Sequence, residues 1–290
     1  MVSGSAPLDP SLHQFLRVVF ANNLVQGYGL TETFAVGLCQ LEGDLTAGNC
    51  GALAPTTEAC LRDVPDMEYL TTDSPHPRGE LLIRTTTQFR EYWKNPEETA
   101  KAVDSEGWFH TGDVASIDEL GRFRIIDRVK NFLKLAQGEY ISPERIENVF
   151  LANCPWLATA YVHGDSMQSS LVGLFGIMPD AFAIFAGKVL KKDIGATDYA
   201  SLMVAAKDPK VLGAATKQLE KVAKQNKFNR WEFVRKMRLY LEPFTVENEL
   251  LTPTLKLKRF HVAKRYQAEI DELYAEVVAE DEAKAMRAKL

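Results

Sequence analysis

Residues 106–130 read Glu-Gly-Trp-Phe-His-Thr-Gly-Asp-Val-Ala-Ser-Ile-Asp-Glu-Leu-Gly-Arg-Phe-Arg-Ile-Ile-Asp-Arg-Val-Lys, and the architecture can be read outward from them. Val114 to Ile117 and Arg122 to Ile126 predict the two strands of a hairpin, turned by Asp118-Glu119-Leu120-Gly121. Asp113 follows Thr111-Gly112 directly. A carboxylate accepts through two oxygens, so in this position it suits the paired hydroxyls of a ribose; an ordinary Asp turn entering a strand is the alternative. His110 is either a base or a structural histidine. Five cations, Arg122, Arg124, Arg128, Lys130 and Lys134, fall within thirteen residues. Arg122 and Arg124 read as a solvated strand face. Arg128 and Lys130 stand where the texture of the chain changes, which puts a domain boundary at about 128–131.

Upstream, Leu12, Phe15, Leu16, Val19 and Phe20 recur at the spacing of one helical face over 11–20. Val25-Gln26 then runs into the loop Gly27-Tyr28-Gly29-Leu30-Thr31-Glu32. Its two glycines let the backbone bend tightly and approach a ligand. Tyr28 offers a flat face, Thr31 a hydroxyl, and Glu32 the hard oxygen that Mg²⁺ prefers. A plain glycine-rich turn is the competing reading. From 34 to 128 the texture is β-rich, with Glu80-Leu-Leu-Ile-Arg84 a strand and the proline-bearing stretch 55–77 a surface loop.

Downstream, Phe132–Leu135 and Glu139–Ile141 flank a glycine-containing turn, and Ser142 caps a helix that has Pro143 at its first position. Ile146, Val149 and Phe150 give that helix one apolar face. Strands are expected at 159–163, 171–178 and 237–241, a helix at 210–225, and a last helix at 261–285. The run Leu171 to Met178 is stopped by Pro179, far short of the roughly 20 residues of a membrane helix, and reads as a buried strand. In Thr252-Pro253-Thr254-Leu255-Lys256-Leu257-Lys258-Arg259, alternation would put Lys256 and Lys258 on one side of an extended strand; a basic loop is the plain alternative.

The 290 residues suffice for two ordinary domains or one large one, and 46% hydrophobic with 25% charged residues is globular composition. A net charge of −5 argues against a general nucleic-acid binder. Cys39, Cys50, Cys60 and Cys154 form no C-x-x-C pair, so neither a zinc site nor a disulfide framework is expected.

Taken in order, these pieces resemble the adenylate-forming superfamily of acyl-CoA synthetases, luciferases and peptide-synthetase adenylation domains. Residues 106–130 resemble the fatty acyl-CoA synthetase signature D-G-W-L-H-T-G-D-I-G-x-W-x-P-x-G-x-L-K-I-I-D-R-K-K. Departures from it include Glu106, Phe109, Val114, Ala115, Ile117, Phe123, Arg124 and Val129. The resemblance implies an α/β (α+β) protein. Residues 1–129 would be the incomplete end of the large adenylation domain, with a β-rich subdomain, and 130–290 a small mobile α+β C-terminal domain. It further implies a long-chain fatty acid–CoA ligase that uses ATP, Mg²⁺ and coenzyme A, passes through acyl-AMP, and releases AMP and pyrophosphate.

Carried onto matching positions, Tyr28 and Gly29 would lie at the nucleotide, Thr31 near the phosphates and Glu32 on Mg²⁺. Asp113 would take the ribose hydroxyls with Arg128 alongside. Lys130 would be the hinge, Gly138 would let coenzyme A pass close to the backbone, and Lys258 would serve adenylation, with Leu257 where many relatives have glycine. The superfamily's Ser/Thr/Gly-rich phosphate loop ending in Lys-Gly has no counterpart in the 290 residues. Ser3-Gly4-Ser5-Ala6-Pro7-Leu8 resembles an internal stretch of relatives, so Met1 is read as internal to a longer protein, and the chain alone as inactive. The final Ala288-Lys289-Leu290 resembles the peroxisomal address Ser-Lys-Leu, which implies an import receptor as partner and the peroxisome as location, with cytoplasm or an endomembrane surface as alternative. Two other readings stay open: an adenylate-forming enzyme with a different acid or acceptor, which the acid pocket would discriminate, and a non-catalytic protein that binds nucleotide or a partner.

Overall fold

Short alternating segments make strands in the first 132 residues, and the chain there folds as two four-stranded sheets. A computed structural model describes residues 1–5, 8–20, 23–241 and 244–287, without the side chains of Lys130 and Arg287. The chain divides into two compact units, Met1–Phe132 and Leu133–Leu290.

In the first unit, β1 (Val2–Ser3), β2 (Val25–Tyr28), β3 (Leu38–Cys39) and β4 (Ala52–Leu53) form one sheet in that order. β5 (Thr57–Arg62), β6 (Arg78–Thr85), β7 (Phe109–Ile117) and β8 (Phe123–Arg128) form an antiparallel sheet, also in sequence order. Leu38, Cys50, Leu81, Ile83, Ala115 and Phe123 are the shared core, with Tyr28 packed against it. β5 lies inside the stretch expected to be loop. As an edge strand it buries little apolar surface, so Thr57-Glu-Ala-Cys-Leu-Arg62 lacks the alternation of a half-buried strand. A short helix, α2 (Pro96–Ala102), capped by Asn95, was also unforeseen.

The expected N-terminal helix is α1 (Pro10–Val19), capped by the Asp9 carboxylate. Its packing inverts the apolar pattern. His13 and Arg17 are buried, whereas Leu12, Phe15, Val19 and Phe20 are exposed. Arg17 donates to the carbonyls of Leu24, Asp44 and Thr46, and His13 Nε2 meets the Leu24 carbonyl at 2.7 Å. Buried main-chain carbonyls need donors, and this face of the helix supplies them.

The second unit begins with the hairpin β9 (Leu133–Lys134) and β10 (Tyr140–Ile141). Ser142 accepts the Arg145 amide and starts α3 (Pro143–Asn153). A three-stranded sheet of β11 (Leu157–His163), β12 (Leu171–Ile177) and β13 (Val234–Tyr240) follows, with β12 central. Between β12 and β13 come α4 (Pro179–Leu190), α5 (Tyr199–Lys207) and α6 (Pro209–Gln225); α4 and α5 were not anticipated. Pro179 ends the strand and also opens α4, its missing amide costing nothing at a helix start.

β12 is buried at every position because both its faces are covered. Leu171, Phe175 and Ile177 join the core made with α3 to α6. Val172 and Leu174 join the opposite core with Leu250, Val262, Ile270 and Leu273. Each such side chain contributes about 1.5–3 kcal/mol on burial. The last expected helix is two helices, α7 (Arg259–Arg265) and α8 (Gln267–Arg287), broken where the Tyr266 ring packs on Tyr240 and Phe244.

The strand expected through Lys256 and Lys258 is instead a turn. Leu255 has φ +60°, the Thr252 amide donates to the Lys256 carbonyl at 2.8 Å, and Leu251 and Leu257 make a single bridge. The Thr252 hydroxyl accepts the Lys256 amide at 3.0 Å, the kind of local side-chain bond that competes with a strand ladder. Lys256 is therefore exposed at the turn, and Lys258 is half-buried at the N-cap of α7.

Candidate functional site

Asp113 is aimed by a bulge in β7. Thr111 Oγ1 donates to the Leu81 carbonyl at 2.7 Å and accepts the Asp113 amide at 3.0 Å. Gly112 sits at φ +68°, which glycine adopts without a Cβ penalty. The β6–β7 register slips between Glu80 and Leu82, and such a slip re-aims a side chain.

Asp113 is only 2% exposed. Its Oδ2 accepts the Tyr28 hydroxyl at 2.5 Å, and its Oδ1 lies 3.0 Å from Arg128 Nε. Arg128 is its cross-strand partner on β8 and is itself exposed. Burial first, then the Asp113 charge, hold the Tyr28 hydroxyl well above the ordinary tyrosine value, so it stays protonated and donates. Hydrogen bonds to a charged group contribute about 1.5–3 kcal/mol each. The structure thus joins Tyr28, Asp113 and Arg128 at the end of β2 and the start of the β7–β8 hairpin. Lys130 lies in the single turn Val129–Asn131 that follows, its side chain outside the described residues.

Gly29 is demanded by this chain's own packing. A Cβ there would overlap the Ala35 carbonyl. Thr31 to Thr33 form a short 3₁₀ turn in which Thr31 is exposed and Glu32 half-buried. Glu32 Oε1 accepts the Tyr92 hydroxyl at 2.8 Å. Burial and the Glu32 carboxylate push that hydroxyl up to about 12. An open cavity of about 690 Å³ is lined here by Thr31, Glu32, Phe34, Phe89, Tyr92 and Trp93. A larger groove, about 1730 Å³, runs along β13 in the second unit and contains none of these residues.

Among the described residues no three acidic, His or Cys side chains converge on a metal position. Glu32 nevertheless fits Mg²⁺, which takes one or two carboxylates and completes its shell with water and phosphate oxygens. His110 meets Asp104 at 3.2 Å and Glu80 at 3.9 Å, a structural setting within the sheet. Arg122, expected to be solvated, is half-buried and pairs with Asp118 at 2.8 Å, bracing the hairpin turn; Arg124 is exposed.

Gly138 and both lysines belong to the second unit. Gly138 has φ +92° and closes the β9–β10 turn by donating to the Leu135 carbonyl at 2.8 Å. No atom approaches within 4 Å of where its Cβ would stand, so a ligand can reach the backbone there. Among the described residues, neither the Lys256 nor the Lys258 ammonium has an ion-pair partner. Sequence reasoning missed Tyr92, which lies in Arg90-Glu-Tyr-Trp93 with no motif to mark it. It also missed the bonds of Thr111, although Thr-Gly-Asp is the signal that points to a bulge.

The fold matches that of the adenylation domains of adenylate-forming enzymes. Residues 1–93 match the family model described as AMP-binding enzyme. Over all 290 residues the chain is 57% identical to the peroxisomal acyl-CoA ligase 891 of Penicillium roqueforti and spans 41% of it. It is 42% identical over 282 residues to the peroxisomal long chain acyl-CoA synthetase 6 of Arabidopsis thaliana, covering 97% of this chain and 39% of that protein. The adenylation domain of a carboxylic acid reductase from Segniliparus rugosus, in complex with AMP and a co-purified carboxylic acid, superposes with TM-score 0.78 at 33% identity. That match covers 95% of this chain and 39% of the other. Over its whole length the chain is similar to adenylate-forming acyl-CoA ligases, and it spans 41% or less of the length of the relatives named here.

Proposed function

We propose that this chain is the C-terminal part of a long-chain fatty acid–CoA ligase, with residues 1–129 ending the large domain and 130–290 forming the small mobile one. The Tyr28–Asp113–Arg128 cluster carries the reading, because it sets a buried carboxylate acceptor beside an aromatic face. The adenine lies against Tyr28. The ribose hydroxyls reach Asp113 as the exposed Arg128 side chain gives way, since each carboxylate oxygen can accept more than one hydrogen bond. Glu32 would hold Mg²⁺, which would offset phosphate charge, and Thr31 would lie near the phosphates.

A fatty acid carboxylate oxygen attacks the α-phosphorus of ATP. The Pα–O bond to the β-phosphate breaks and pyrophosphate leaves. The Lys258 ammonium offsets the charge gathering where the two anions meet. Coenzyme A then attacks the acyl carbon through sulfur, losing its thiol proton, and the bond to AMP breaks. Rotation about Lys130 withdraws the lysine and presents the Gly138 turn to coenzyme A. Lys256 is a second candidate for the adenylation lysine, favoured by its exposure at the Thr252–Lys258 turn.

The test uses a chimera in which this chain replaces the matching segment of the Penicillium roqueforti ligase. Palmitate-dependent exchange of pyrophosphate into ATP is expected there, and exchange no faster without an Asp113→Ala change than with it would reject the site.

The relatives' names support a peroxisomal location. We assign the address to Ala288-Lys289-Leu290, which lies outside the described residues and would be read by the import receptor through its free carboxylate. A fluorescent protein ending in residues 279–290 should be punctate with a peroxisomal marker and become cytosolic when the last three residues are removed. Diffuse signal from the intact tail would reject the address.

A further inference from the structure

The outer edge of β11 is closed by a buried ion pair that no motif announced. Among the described residues, β11 has a strand neighbour only on the β12 side. Val162 turns both its main-chain groups to the open edge, and both are taken there by side chains. Glu147 Oε1, from α3, accepts the Val162 amide at 2.6 Å. Arg259 Nη2, from the first position of α7, donates to the Val162 carbonyl at 2.6 Å. Arg259 Nη1 also donates to both Glu147 oxygens at 2.9 Å, and its guanidinium lies over the Tyr161 ring, 4.9 Å from the centroid. Glu147 is 4% exposed. Arg259 therefore makes contacts to helix, strand and ring that only a planar fork can make together.

Arg259 directly follows Lys258 and closes the Thr252–Lys258 turn. That turn is otherwise held by its own local bonds, by one from the Lys258 amide to the Leu250 carbonyl at 2.9 Å, and by the packing of Leu257 against the core that contains Leu250 and Val262. α7 is only seven residues long and its N-cap, Lys258, offers no side-chain cap. A helix start of that kind needs an external anchor.

We infer that the Glu147–Arg259 pair is the positioning element of the lysine-bearing turn, pinning its end to the rigid edge of β11 so that the ammonium is presented at a set reach. Arg259 and Glu147 touch no reacting atom and act through the lysine. The functional half of this inference rests on the reading given under Proposed function; the mechanical half does not. The nearby pair Arg145–Glu232 provides a control, because it too fastens α3 with a buried glutamate but lies away from the turn.

The mechanical test is hydrogen exchange of the 290-residue chain at pH 8, where the Glu147 carboxyl, pushed by burial up to about 7, is ionised. Glu147→Gln should speed exchange of the Lys258, His261 and Val262 amides by about tenfold or more while β12 and α8 keep their protection. Arg259→Lys, which keeps charge but not the fork, should show a smaller change, and Arg145→Gln none at these amides. Unchanged exchange in Glu147→Gln overturns the clamp. So does an equal rise throughout the unit, which would make the pair a general stabiliser; Arg259→Lys covers the case in which Glu147→Gln fails to fold.

The functional test uses the chimera. Glu147→Gln should slow acyl-adenylate formation by about 100-fold, the scale for a reacting group displaced by about 1 Å, and spare thioester formation from supplied acyl-adenylate. Arg259→Lys should restore part of that loss. Equal loss in both half-reactions overturns the positioning role. If Lys256→Ala and Lys258→Ala both leave adenylation at the parent rate, the catalytic reading falls, and the exchange experiment still judges the clamp.

Discussion

Lys258→Ala in the chimera is expected to slow palmitoyl-adenylate formation by about 100- to 1,000-fold, the range for losing one charge-stabilising group in a transition state. Thioester formation from supplied palmitoyl-adenylate should stay within about twofold, because the lysine makes no contact that strengthens during thiol attack. Lys130→Pro should show the opposite split, since proline holds φ near −65° and restricts the hinge. Rapid-quench measurement of each half-reaction separates the cases. Lys256→Ala is the decisive companion. The turn at Leu255 exposes Lys256 and half-buries Lys258, so a Lys256→Ala enzyme with the adenylation defect would transfer the role to that residue. Equal loss of both half-reactions in the Lys258 and Lys130 variants would reject alternation between two domain arrangements.

The second large effect concerns Asp113. Asp113→Ala is expected to raise the KM for ATP by about 100-fold, as two charge-assisted hydrogen bonds of about 1.5–3 kcal/mol are exchanged for weaker contacts with water. The same change strands the Tyr28 hydroxyl and removes the partner of Arg128 Nε, so some loss of stability accompanies it. Tyr28→Phe separates the two effects. It keeps the ring and removes one donor to Asp113, and should raise the KM for ATP by only about fivefold. A KM unchanged in Asp113→Ala, measured by pyrophosphate exchange, would remove the ribose assignment.

The sequence carried the β7–β8 hairpin better than it carried the packing. Residues 106–130 announced the β7–β8 hairpin, and Asp113 stands at its entrance because Thr111 and Gly112 shape a bulge. The apolar run 171–177 proved to be a strand covered on both faces. Patterning failed where polar groups, not apolar ones, do the burying. Helix α1 packs through His13 and Arg17 because loop carbonyls need their donors, and no periodicity of hydrophobic residues reports that. The pairing of Glu147 with Arg259 joins residues 112 positions apart through an open strand edge, a relation set by tertiary structure alone. β5 was hidden because an edge strand buries too little to alternate, and of the strand and the basic loop that both stayed open for Lys256–Lys258 the Thr252 hydroxyl selects the turn. Two glycines expected to lie at ligands differ physically: Gly29 makes room for the Ala35 carbonyl, whereas Gly138 leaves open space.

The central claim is that these 290 residues supply the ribose carboxylate, the lysine and the coenzyme A face of a fatty acid–CoA ligase. The most direct test is palmitoyl-CoA formation from palmitate, ATP and coenzyme A, measured in parallel for the 290-residue chain and for the chimera with the Penicillium roqueforti ligase. The account predicts thioester from the chimera at a rate within about tenfold of the parent ligase, and none above the no-enzyme control from the chain alone, which has no phosphate-loop motif among its residues. A folded chimera that binds ATP yet forms no palmitoyl-CoA, or a 290-residue chain that forms it unaided, would contradict the account.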